Sequence, residues 1–277
     1  MIDFSRRGLS LDRMRSFLAV VDAGSIARAA PGDPVRQSQI SRQISELEAF
    51  FGQALIDRRT VTAAGRQLAV TVRETLAGLS DVSAQRAPLE IQLGAGDSVL
   101  HAWLIPRMPA LDASVVLAAM HGGEVVSRLR EARLDFGVAA RTHVGRDLRA
   151  RTLGTLELAL FVPKALRRRT AAEVLASVPT AVVYGDPEVA AALEIGAIPA
   201  LRCETFPQAQ RAVATGRFAA VLPALARRDL PASAFERLPM PSLRAREFVL
   251  AWHPRLERQR PRVAALVPAL AEAFALP

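Results

Sequence analysis

The apolar residues of this chain keep one spacing up to Pro88 and another beyond it. Before Pro88 they recur every three or four residues, the repeat of a helix with one buried face, whereas afterwards they gather in short runs between helix-like stretches. Two separately packed parts follow, an all-α N-terminal part and an α/β C-terminal part. With 277 residues, about half of them apolar, the chain can bury one small core and one of ordinary size.

In the N-terminal part, Leu11, Met14, Leu18 and Val21 form the stripe of a first helix, with Gly24 as its terminator. Ser25 caps a second helix over residues 26–30, whose Ala29 and Ala30 let a neighbouring helix approach closely. Pro31, Gly32, Asp33 and Pro34 break it. In a third helix, residues 37–51, Ile40, Ile44, Leu47 and Phe51 define a packed face, and Ser38, Arg42 and Ser45 lie opposite, with Gln37 at the start. Gln, Ser and Arg suit base edges and phosphates in a major groove, although an ordinary solvated polar face satisfies the same pattern.

Without a gap from residue 11 to 52, the chain carries Phe17, Gly24, Ser25, Arg28, Ala29, Ala30, Val35, Gln37, Ser41, Arg42, Gln43, Ile44, Leu47, Glu48 and Gly52. In these residues it resembles the DNA-binding segment of LysR-type transcriptional regulators. The resemblance implies a winged helix-turn-helix over residues 1–62, with base contacts from Gln37, Ser38 and Gln39 and phosphate contacts from Ser25, Arg28, Ser41 and Arg42. Two departures modify that expectation. Asp33 and Pro34 replace the leucine-containing end of the second helix, so that helix ends early and Gly32 supplies the sharp turn. Between Arg58 and Thr62 only Arg59, Thr60 and Val61 remain, too few for the usual two-stranded hairpin, so a stunted wing is expected, with Arg58 and Arg59 still able to meet the DNA backbone.

Residues 63–88 form a linker, predicted as a helix from about 63 to 87 that Pro88 closes, with Thr62 as N-cap. Leu68, Val72, Thr75, Leu79 and Val82 advance by four, three, four and three residues, a heptad-like seam. Such a seam serves a partner helix or the chain's own core equally well. The resemblance implies pairing with a second subunit, hence a homodimer or homotetramer on an inverted-repeat, double-stranded DNA operator, with RNA polymerase as a further candidate partner.

Residues 89–277 alternate strand-like runs (89–93, 115–118, 136–140, 156–162, 181–184, 219–222, 248–252) with helix-like stretches (99–105, 123–133, 188–193, 208–215, 263–274), which predicts a largely parallel sheet. This part resembles the effector domains of LysR-type regulators, with the two-lobed fold of periplasmic solute-binding proteins, most clearly at residues 94–98, 124–137 and 214–223. In such sheets ligands settle at the carboxyl ends of strands. That rule selects Gly96, Asp97 and Ser98 after the first strand, His121 after the second and Arg141 after the third, faced by Tyr184, Thr205 and Phe206 from the other lobe. Each suits a turn or cap as well as a ligand, and Asp97 suits a helix cap or a cationic effector. Helix amides, Ser98 and Arg141 favour a small organic, carboxylate-bearing effector, a preference that Asp97 opposes.

The net charge of +9 does not locate the DNA surface, because residues 1–88 hold 12 Arg against 9 acids while the remainder holds 24 cations against 18 acids. Placement carries the argument instead. His101, His121, His143 and His253 show no metal-ligand spacing, Gly94 and Gly96 lack the third glycine of a dinucleotide loop, and no G-x-S-x-G elbow occurs, so no catalytic constellation, metal or cofactor is expected. Cys203, the only cysteine, reads as a buried structural thiol and forms no internal disulfide. The start of the chain lacks the apolar stretch of a secretory signal and no segment is long enough to span a membrane, which places the protein in the cytoplasm. A solute-binding protein, an α/β enzyme, and a regulator that has lost effector control are the alternatives, the last because the segment from Pro106 to Val115 is shorter than the usual family helix.

Overall fold

Each of the first three helices begins on a short polar side chain, and two of them end on a glycine. The computed structural model describes residues 9–58, 60–83, 89–168, 170–194, 197–240 and 242–276. The chain forms two units: Met1–Leu89 with Arg130–Arg133 and Glu257–Pro261, and a second made of the remainder.

In the first unit α1 (Leu11–Ala23) starts at Ser10, whose hydroxyl accepts from the Arg13 amide at 3.3 Å, and stops at Gly24 in the left-handed region, φ 75°. α2 (Ile26–Ala29) is a single turn capped by Ser25, shortened by the Pro31–Gly32 break as expected. α3 (Pro34–Phe51) begins three residues earlier than the apolar spacing suggested, because the Asp33 carboxylate accepts from the Arg36 amide at 2.9 Å and Pro34 occupies the first position, where no N–H is needed. Arg13 pins α1 to α3 through Glu46, with Nε to Oε2 at 2.6 Å. Phe17, Leu18, Leu47, Leu55, Ala69 and Val72 form one buried cluster, and Val20, Ala30, Ile40 and Ile44 a second against α2.

The wing corrects the sequence reading. β1 (Ile56–Asp57) and β2 (Thr60–Val61) pair antiparallel, Ile56 with Val61 and Asp57 with Thr60, so a minimal hairpin does form. The chain can reverse so soon after β1 because Arg58 takes the left-handed conformation, φ 44°, that tight hairpins favour. Glu48 accepts from the amides of Leu55 and Ile56 at 2.8 and 3.1 Å, which anchors the hairpin to α3. Arg59 lies outside the described residues.

α4 (Ala63–Ser83) is capped by Thr62, whose hydroxyl accepts from the Gly65 amide at 3.0 Å; the expected continuation to residue 87 lies outside the described residues. The seam along α4 is divided. Leu68 and Val72 pack on the unit's own core, Val72 being 1% exposed, whereas Leu79 and Val82 are 49% and 65% exposed. Asp22 accepts from both Arg73 and Arg133; burial alone would raise its carboxyl, but these two guanidiniums hold it below the usual range.

Beyond α4 the chain continues with β3 (Leu89–Ala95), α5 (Asp97–Val99), β4 (Ala113–Ala119), α6 (Gly122–Arg130), β5 (Phe136–Ala140) and β6 (Arg149–Leu156), most of them in the second unit. After Glu157 come β7 (Leu158–Pro163), α7 (Ala171–Ser177), β8 (Pro179–Val183), α8 (Pro187–Glu194), β9 (Ile198–Cys203), α9 (Phe206–Ala214), β10 (Ala220–Pro223) and β11 (Phe235–Pro239). β12 (Arg246–Trp252), α10 (Arg255–Gln259), α11 (Pro261–Ala264) and α12 (Val267–Ala273) complete the order. α5 is one turn that continues into a wide turn at Leu100–Leu104 and a tight one at Ile105–Arg107, rather than the regular helix expected over 99–105.

The strands make two lobes. One holds the sheet β4-β3-β5-β12-β6; the other holds β10-β7-β11 and β8-β9, which a bridge between Thr180 and Ala219 joins. The expectation of a largely parallel sheet is corrected: β3 and β5 run parallel, but β12 is antiparallel to both β5 and β6, and β7 is antiparallel to both its neighbours. The reason is the double crossing. The chain leaves the first lobe after β6 and returns along β12, so the two must run oppositely. The single apolar run at 156–162 thus straddles the crossover, Leu156 closing one sheet and Leu158 opening another. The second lobe's core gathers Leu160, Phe161, Val183, Val213 and Val221. In the first, Trp103 is buried, donates from Nε1 to the Phe274 carbonyl at 2.9 Å and meets Phe248 edge to face. No described helix is long and apolar enough to cross a membrane.

Candidate functional site

α3 presents two unlike faces. Ile40, Ile44 and Leu47 are buried, while Ser38, Gln39, Ser41, Arg42 and Ser45 are exposed, and the first four of these, with Arg58 on the wing, have no hydrogen-bond or ion-pair partner among the described residues. An exposed polar row on the second long helix of a helix-turn-helix is what contact with bases and phosphates requires. Other expected contacts are partly engaged within the chain. Gln37 is half-buried and its Nε2 donates one hydrogen to the Ala30 carbonyl at 2.8 Å, so its amide staples the turn between α2 and α3, which leaves Oε1 and the second Nε2 hydrogen for a base. Ser25 accepts from the Arg28 amide at 3.2 Å and from its Nε at 3.4 Å, which leaves the hydroxyl hydrogen and the outer guanidinium nitrogens for phosphate.

The early start of α3 adds Val35 and Arg36, both exposed, to this surface. Sequence reasoning placed the helix start near Gln37 and missed them. The pair Asp33–Pro34, an N-cap followed by Pro at the first helical position, was the signal that could have found them.

In the second unit the strand ends gather as the crevice rule requires. The Met120 amide donates to the Ala95 carbonyl at 3.0 Å, and the His143 ring packs where a Cβ on Gly122 would otherwise sit, bringing the loops of Gly96, His121 and Arg141 to one edge of the sheet. In the other lobe the Tyr184 amide donates to the Cys203 carbonyl at 2.9 Å and Gly185 lies against Glu204, so Tyr184 neighbours Thr205 and Phe206. α5 lies beside α9, which brings Asp97 and Ser98 toward the helix that Thr205 opens.

The candidates divide by their occupations. The Ser98 hydroxyl is half-buried, the Arg141 guanidinium is exposed, and neither has a partner among the described residues. Asp97 lies 3.3 Å from His101 Nε2, which answers its charge from within the same turn when that imidazole is protonated. Thr205 and Gln208 form a reciprocal cap on α9, Phe206 packs on the lobe core, and Arg202 lies over the half-exposed Tyr184 ring at 5.9 Å. His121 is exposed. Among the described residues no group of three or more His, Cys, Asp or Glu could hold a metal ion, and burial pushes the Cys203 thiol up, away from the thiolate a nucleophile needs.

A helix-turn-helix with a bare polar recognition helix, joined through a long helix to a two-lobed α/β domain, defines a DNA-binding regulator with a ligand-binding module. Residues 11–71 match the bacterial regulatory helix-turn-helix proteins of the lysR family, and residues 84–275 match the LysR substrate binding domain. The chain belongs to the LysR family and is a LysR-type DNA-binding transcription regulator with an effector-binding domain. No curated protein sequence matches it significantly. Among solved structures it is similar to full-length LysG from Corynebacterium glutamicum with bound effector arginine (18% identity, TM-score 0.67, 97% of this chain and 100% of that one). It is likewise similar to full-length OxyR from Pseudomonas aeruginosa (17%, 0.64, 96% and 98%) and to full-length CbnR complexed with its target DNA (19%, 0.58, 96% and 100%).

Proposed function

We propose that this cytoplasmic regulator binds an inverted-repeat duplex as a homodimer or pair of dimers and answers to a small organic effector held between its lobes, without chemical turnover. The observation that carries the DNA half is the unpartnered polar row of α3. Ser38 and Gln39 read base edges, Gln37 holds the turn and offers Oε1 and its remaining amide hydrogen, and Ser25, Arg28, Ser41, Arg42 and the wing residues Arg58 and Arg59 meet phosphates. Leu79 and Val82 supply the apolar contact with a second copy, in keeping with the family's use of this helix.

Arg42→Ala is expected to weaken binding to every duplex alike and to reduce the slope of log affinity against log salt by about one, since one phosphate contact is lost. Ser38→Ala and Gln39→Ala are expected instead to relax preference at particular base pairs while leaving the salt slope unchanged. Salt-dependent titrations against selected and unrelated duplexes separate the two behaviours. A loss of specificity in Arg42→Ala equal to that in Gln39→Ala would remove the division of labour.

The effector half rests on Ser98, a free hydroxyl beside converging strand ends, and on Arg141, with Gly96, Asp97, His121, Tyr184, Thr205 and Phe206 around them. A thermal-shift screen of amino acids and short carboxylates is the test. For any hit, Ser98→Ala removes one hydrogen bond of about 1 kcal/mol and is expected to weaken binding about fivefold, leaving DNA binding by the free protein intact. Unchanged affinity in that variant places the site elsewhere, and conversion of a hit to product overturns the non-enzymatic reading.

A further inference from the structure

Val35 is the most exposed large apolar side chain among the described residues, at 81%. Isolated exposed apolar residues are ordinary on protein surfaces, so exposure alone means little. Its direction carries more. At about 100° per residue, Val35 projects within about 20° of Arg42 and about 60° of Ser38, and about 140° to 180° away from Ile40 and Ile44. It therefore stands in the middle of the outward row, the one branched apolar group beside Ser38, Arg42 and Ser45. The position is well defined: the Asp33 cap on the Arg36 amide and the fixed ring of Pro34 set the first turn of α3, with Val35 next in the chain.

The thymine 5-methyl is the one alkyl group on the major-groove edges of the bases; the rest are hydrogen-bond donors, acceptors and the small cytosine C5–H. A branched aliphatic side chain at the leading turn of a groove-facing helix has that methyl as its complementary target. We infer that Val35 determines specificity by packing on the 5-methyl group of a thymine in each half-site. This rests on α3 being the helix that enters the groove.

The test starts from duplexes selected out of a random pool by the full-length chain. Each thymine of the selected site is replaced singly by deoxyuridine, which removes only the methyl, and Kd is measured at fixed salt for the wild type and for Val35→Ala. At one thymine of each half-site, deoxyuridine is expected to weaken the wild type about fourfold, the worth of one buried methyl-sized group, and to leave Val35→Ala unchanged. Affinity for an unrelated duplex is expected to be equal in both proteins. Should Val35→Ala alter the melting temperature, Val35→Thr, which keeps the shape and one methyl, replaces it and is expected to show a reduced deoxyuridine penalty. A flat deoxyuridine profile in the wild type, or the same profile in both proteins, overturns the assignment while leaving α3 as the reading helix. If selection enriches no sequence at all, the DNA-reading function of α3 falls first, and the inference with it.

Discussion

Val72→Asp is expected to unfold the N-terminal unit rather than to separate subunits. The side chain is 1% exposed and packs among Phe17, Leu18, Leu47, Leu55 and Ala69, where a carboxylate finds neither water nor a cation. An unpaired charge in such a site costs about 4 kcal/mol or more, most of the stability of a unit this small. Leu79→Asp, seven residues further along the same seam, is expected to do the opposite. At 49% exposure it changes the fold by about 0.5 kcal/mol at most, yet it places a charge in the proposed contact with a second copy. Circular dichroism melts and sedimentation velocity on the two variants separate these outcomes. A folded Val72→Asp protein would contradict the core assignment, and wild-type assembly by a Leu79→Asp, Val82→Asp double variant would move the subunit contact elsewhere.

Arg246→Ala is expected to be the most damaging single change at the lobe crossover. Arg246 opens β12, where the chain re-enters the first lobe, and reaches back to the second lobe: Nη1 and Nη2 grip Asp186, the latter at 2.9 Å, and Nη2 also bonds Glu188 at 2.6 Å. Asp186 is 13% exposed and additionally caps α8 through the Val189 amide at 3.1 Å. Burial alone would raise its carboxyl, but hydrogen bonds and charge from Arg246, with the amides of Val189 and Glu188, hold it below the ordinary range. Losing the guanidinium strands one largely buried carboxylate, while Glu188, nearly half exposed, is screened by water. The cost is about 1 to 3 kcal/mol, or about 2 to 12 °C in the melting temperature of this unit.

The pH dependence has a definite sign. A carboxyl whose folded pKa is depressed contributes stability that is fully present above its unfolded value, about 3.9, and is lost as pH falls through the folded value. The gap between wild type and Arg246→Ala is therefore expected to be complete at pH 7 and to close below about pH 4. Calorimetry across that range checks it, and a gap that persists undiminished at pH 3 would remove Asp186 as its source.

Much of the architecture was legible because it depends on local rules. Helix stripes, the caps at Ser25 and Thr62, the terminator Gly24 and the shortened α2 all follow from residues within a turn of one another. The strand-end candidates were selected by an equally general rule, and the loops of Gly96, His121 and Arg141 lie together at one edge of the sheet. Where the reading failed, the deciding partner was remote in sequence or conformationally special. The wing closed because Arg58 accepts a left-handed backbone, which composition does not announce. The sheet became mixed because one apolar run, residues 156–162, is shared between two lobes; Glu157 is the one charge within it, but a charge at the second position of a strand fits an outward-facing residue equally well, so it does not announce a crossover.

The sequence by itself determined that this chain has a helix-turn-helix, a long helix and an α/β domain, because periodicity and capping are properties of neighbouring residues. Only the tertiary structure decided what each apolar or polar group faces. The regular seam from Leu68 to Val82 is split between the chain's own core and solvent, and Gln37, for all its place at the groove end of α3, gives one amide hydrogen to the Ala30 carbonyl. Periodicity specifies a face; the partner of that face depends on where the rest of the chain packs, and that is set by contacts between residues far apart in sequence.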